Sequence, residues 1–108
     1  MMVTEEEVCE AFADMRQAAT MRYNAACHLM AKKRALQEET HKLLVKYADN
    51  PKELGQNEAT RDATIATMLK EHVDAESIAQ QEFDEMSHNW ELCNLELNRI
   101  DFLLKVAR

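Results

Sequence analysis

The sequence predicts an all-α protein: an antiparallel, coiled-coil-like hairpin of two long helices with a short third helix at its tip, expected to form a homodimer. Three observations lead there. The 108 residues include one Gly and one Pro, too little turn chemistry for a sheet-rich fold. Good helix formers (Ala, Leu, Glu, Lys, Arg, Gln, Met) dominate the composition. Apolar residues also recur at alternating steps of four and three, the spacing that holds one narrow seam against a partner helix.

The first helix is expected over residues 5–47. Thr4 stands where a cap is needed, and Glu5, Glu6 and Glu7 complement the positive helix end. Its expected seam is Val8, Phe12, Met15, Ala19, Arg22, Ala26, Leu29, Lys33, Leu36, Thr40, Leu43 and Tyr47. Arg22, Lys33 and Thr40 interrupt that seam and restrict its register, while Ala19 and Ala26 permit close approach.

Residues 48–57 are the expected loop. Asn50 before Pro51 disfavours helix, and Gly55 is expected to supply a positive backbone dihedral. Asn57 then caps a short helix over residues 58–72, with Ile65, Met68, Leu69 and His72 on one narrow apolar face. Asp74 suggests a further cap before a last helix over residues 75–107. Its seam reads Ala79, Phe83, Met86, Trp90, Cys93, Leu97, Ile100, Leu104 and Ala107, and Lys105 and Arg108 suit its negative end. No internal repeat or linker interrupts the pattern, so one domain covers residues 1–108.

The net charge of -7 repels a phosphate backbone and disfavours a broad nucleic-acid-binding face. Positive charge is concentrated locally at Lys32, Lys33 and Arg34, with Arg22, Lys42 and Lys46 on nearby turns. A basic second half suits the helix dipole, and phosphate contact is the rival reading. Cys9, Cys27 and Cys93 form no CxxC pair. With no apolar leader and no long apolar span, a cytoplasmic protein with reduced thiols and no membrane partner is expected.

The nearest approach to a chemical signature is a pair of Glu-x-x-His steps, Glu38 with His41 and Glu85 with His88. Carboxylate-bridged di-iron bundles use two such steps plus a Glu from each of two further helices, a part open to Glu10, Glu39 or Glu82. Neither step lies on a seam, so no metal or other cofactor is expected and the di-iron-like bundle is kept as an alternative. Trp90 and Tyr23 are placed at seam positions and read as packing residues. No phosphate loop, nucleophile elbow or paired catalytic acid is present, which disfavours an enzyme.

The most distinctive aperiodic stretch is Leu54-Gly55-Gln56-Asn57-Glu58-Ala59-Thr60-Arg61. Gly55, Asn57, Glu58 and Arg61 serve a loop-to-helix junction, with Arg61 expected to reach back toward carbonyls or carboxylates near the end of the first helix. The stretch also resembles the Gly-x-Asn-Glu-x-x-Arg turn of small helical bacteriophage and prophage proteins. That resemblance implies a setting, often near recombination genes inside a host bacterium, and carries no chemistry with it. The expected function is a non-catalytic accessory protein acting by protein contact, in a recombination complex or as an inhibitor of a host or defence factor. The expected partners are itself and a basic, nucleic-acid-binding host or phage protein. The interaction residues are Arg22, Lys32, Lys33, Arg34, Gly55, Asn57, Glu58 and Arg61, and a nucleic-acid-binding accessory protein is the remaining alternative.

Overall fold

The computed structural model describes residues 2–107, and among them there is helix and turn but no strand. Helix α1 spans Glu5–Lys46, a single 3-10 turn spans Pro51–Glu53, α2 spans Glu58–Met68 and α3 spans Lys70–Val106. Thr4 Oγ1 accepts the Glu7 amide at 3.1 Å, which satisfies one of the orphan donors of the first turn of α1. Asn57 does the same for α2, accepting the Thr60 amide at 2.8 Å. Arg108, expected at the end of the last helix, lies outside the described residues.

The chain forms two compact units. The first joins the segment of α1 up to Cys27 to the segment of α3 from Gln81 onward. The two segments run antiparallel: Glu7 lies in the electrostatic reach of Arg99, while Arg22 bonds Ser87. On α1 the inward positions are Val8, Ala11, Met15, Ala18, Arg22 and Ala25, one residue away from the expected seam at every second place. Ala11, Ala18 and Ala25 are buried, whereas Phe12 is 55% exposed and Ala19 faces outward. Alanine at one place in each heptad leaves depth for bulk from α3, and Phe83, Met86, Trp90, Cys93 and Leu97 sit half-buried there. Ile100 is buried, and Leu103 takes the inward place expected of Leu104, which is 40% exposed.

The second unit contains the rest of α1, the 3-10 turn, α2 and the start of α3. Leu29, Leu54, Leu69 and Ala79 are its buried apolar residues, with Leu36, Leu43, Tyr47, Ile65 and His72 half-buried. The basic interruption falls on Lys32, which is half-buried, and Lys33 is exposed. Thr40 is tolerated on the inner face because its hydroxyl donates to the Leu36 carbonyl at 2.7 Å.

Two local expectations are corrected here. Gly55 has no positive φ. Glycine is required for space, because a Cβ at that position would stand 2.6 Å from Thr60 Cγ2 and 2.9 Å from Thr60 Cβ. The boundary between α2 and α3 falls at Leu69, not Asp74, which lies inside α3. The Thr64 and Thr67 hydroxyls donate to the Thr60 and Ala63 carbonyls at 2.9 and 3.0 Å, a back-bonding pattern that bends helices. The chain departs from α geometry at Leu69 alone, and helix resumes at once because no Pro or Gly follows to stop it.

Candidate functional site

The first unit carries a groove of about 290 Å³ lined by Ala19, Tyr23 and Ala26 of α1, Phe83 and Trp90 of α3, and Arg22 between them. The small side chains of Ala19 and Ala26 make its floor low along α1, and the aromatic rings form its far wall. Arg22 explains how a cation occupies an inward position. Its guanidinium lies 4.8 Å from the centroid of the Trp90 ring and 5.7 Å from that of Phe83. Its Nε donates to Ser87 Oγ at 3.1 Å. The aliphatic stem adds to the packing, while the stacked cation keeps its charge against the electron-rich ring faces. Tyr23, expected in the seam, stands instead at the rim, 69% exposed, because Arg22 takes the inward place beside it. The Cys27 side chain, through a hydrogen bond first and its Coulombic influence second, raises the Tyr23 phenol above its ordinary value.

A second, shallower groove of about 270 Å³ lies on the other flank of the same helix pair, between Met21 of α1 and Met86 and Cys93 of α3. Apolar side chains are prominent on the outside as well. Phe12, Tyr23, Leu92, Leu95 and Phe102 are each more than half exposed, while four of the buried apolar residues are Ala11, Ala18, Ala25 and Ala79.

The remaining sequence-nominated residues do not converge. Lys33 and Arg34 are exposed, Lys32 is half-buried, and Arg22 is occupied by Trp90, Phe83 and Ser87. Lys42 pairs with Glu39 at 3.2 Å and Lys46 lies over the Tyr47 ring at 5.3 Å. Gly55 and Asn57 serve the loop junction and Glu58 opens α2 in the turn where a carboxylate suits the helix dipole. Arg61 does not reach back as expected: among the described residues its backbone amide bonds Asn57, and its side chain makes no hydrogen bond or ion pair. Glu38 and His41 belong to the second unit, Glu85 and His88 to the first, and all four are exposed. Glu10 and Glu82 are exposed as well, and among the described residues no three His, Cys, Asp or Glu side chains gather as metal ligands. The side chains point along the helix flanks because the inward positions of α1 and α3 are taken by alanine and larger apolar groups.

Sequence reasoning missed the Arg22, Phe83, Ser87 and Trp90 cluster, and it missed a second apolar stripe on α3. The signal for the stripe was present: Leu92, Leu95, Phe102 and Val106 repeat the four-three rhythm of the inner seam, with Arg99 at the one charged place. The cluster had no such signal, since it depends on which residues of α1 and α3 come level. Among the described residues no helix is long and apolar enough to cross a membrane. No family model, no curated protein and no solved structure matches the chain.

Proposed function

We propose that this chain is a non-catalytic accessory protein that works by protein contact, presenting the groove beside Arg22 and Trp90 to a helix of its partner. What supports the reading is the placement of apolar bulk: Ala11, Ala18 and Ala25 lie inside, while Tyr23, Phe83 and Trp90 line an open channel between two helices. A helix laid in such a channel buries apolar surface on both walls, and Ala19 and Ala26 let its backbone come close. The net charge of -7 favours a basic partner, such as a nucleic-acid-binding protein, by raising the rate of encounter. The phage or prophage setting rests on the resemblance carried by Gly55, Asn57, Glu58 and Arg61 and by Leu69, Asp74 and Glu76 after them.

Affinity capture tests the reading with the intact chain against a variant carrying Ala19→Glu and Tyr23→Glu. Both positions line the groove and are exposed, so the variant should fold normally by circular dichroism. The expected outcome is a protein recovered in stoichiometric amount by the original chain and lost from the variant. Equal recovery by both would remove the groove from the proposal.

A further inference from the structure

Helix α3 has two apolar faces. One packs on α1. The other consists of Leu92 (51% exposed), Leu95 (63%), Phe102 (64%) and Val106 (66%), with Arg99 at the intervening place. At roughly 100° per residue this second stripe lies about 150° around the helix from the first, on the side turned away from α1. Its steps are three, four, three and four, a heptad seam in its own right. Upstream the same positions are Gln81, Glu85 and His88, so the apolar stretch is confined to the last four turns of α3.

We propose that this face is covered by a second copy of the chain, paired two-fold symmetrically and antiparallel along α3, with its centre at Leu97. The inference rests on reading the chain as a protein-contact module and names one of its partners. Two observations select the occupant. The first is the stripe itself: Leu92, Leu95, Phe102 and Val106 are each more than half exposed and keep heptad spacing over about four turns, the pattern that a like helix covers.

The second observation is that the stripe and its flanks complement themselves in this register. Antiparallel seams set each first-type position level with a second-type position of the other helix. About Leu97, Leu92 comes level with Phe102 of the second copy, Leu95 with Arg99, and Val106 with His88. On one flank Glu91 meets Lys105 of the second copy, twice by symmetry. On the other flank the two Glu96 carboxylates approach one another, and each is bracketed by Arg99. Arg99 already holds Glu96 within one chain, through Nη2 at 2.6 Å and Nε at 3.0 Å. Two carboxylates and two guanidiniums therefore alternate in sign. Shifting the register by one heptad in either direction leaves two fully apolar layers, as here, but separates Glu91 from Lys105, so the charges on the flank choose between registers.

Sedimentation equilibrium tests the pairing. The intact chain should sediment as a dimer at high micromolar concentration, and Leu95→Glu should be monomeric with its helix content unchanged by circular dichroism. Lys105→Glu should weaken the dimer by roughly three- to tenfold, as two exposed ion pairs are replaced by like charges, and adding Glu91→Lys should restore it. A monomeric intact chain overturns the pairing while leaving the groove to the capture experiment. A dimer that survives Leu95→Glu but dissociates with Phe12→Glu overturns the α3 face and assigns self-contact to α1. Failure of the charge-swapped double variant to recover overturns the antiparallel register.

Discussion

At the scale of single residues, size and room decide more than polarity does. Gly55 is a case where glycine is needed for what it lacks. Its backbone is ordinary, and a methyl group there would collide with the Thr60 side chain that follows the Asn57 cap. Gly55→Ala should therefore destabilise the protein by about 1 to 3 kcal/mol, the usual cost of overpacking, read as a lowered urea midpoint without change of slope. A stabilised or unchanged protein would mean that Thr60 turns aside freely. Arg22 makes the complementary point. A charged residue at an inward place looks like an interruption in the sequence, yet its stem is apolar and its head finds two rings and a hydroxyl. Both outcomes depend on a neighbour: Thr60 is five residues from Gly55, and Ser87 is 65 residues from Arg22.

At the scale of elements, helices α1 and α3 were legible because their rhythm is long and unbroken, and the first turn of α1 is capped as its sequence requires. The junction of α2 with α3 was not. Asp74 has the chemistry of a cap, but α3 already begins at Lys70 and Asp74 sits inside it, so the capping chemistry is unused. Electrostatics on α3 are local. Hydrogen bonding to Arg99 is the main reason that the Glu96 carboxyl is held below its ordinary value. A carboxyl with a depressed folded value leaves more protons bound to the unfolded chain, so its contribution is present above the ordinary carboxylate range and disappears as pH falls. Urea midpoints measured from neutral pH down through that range should fall less steeply in Glu96→Gln than in the original protein. Because both partners are nearly half exposed, the difference should be small and should shrink with added salt.

At the scale of the molecule, the governing fact is that the helices do not hide all the apolar side chains the sequence supplies. Met21, Tyr23, Leu92, Leu95 and Phe102 remain outside while alanines occupy inward places. The proposed pairing along α3 would link stability to concentration. The melting temperature of the intact protein should rise with protein concentration, since dimer formation stabilises the folded state by mass action. In Leu95→Glu it should be flat across the same concentrations. A flat profile for both would show that the exposed stripe on α3 does not self-associate in solution.

The amino-acid sequence by itself determined the class of structure and the regions of helix, because the lack of Gly and Pro and a sustained four-three rhythm leave the backbone no competing way to bury apolar groups. It also determined the two caps at Thr4 and Asn57, whose bonds close within three residues. Only the tertiary structure decided which of two adjacent stripes on α1 turned inward. Val8, Met15, Arg22 and Leu29 are compatible with either Ala11, Ala18 and Ala25 or Phe12, Ala19 and Ala26 as companions. The bulk on α3 settled the choice: with Phe83, Met86 and Trp90 facing α1, space between the helices favours the alanines, and Phe12 and Tyr23 are left exposed.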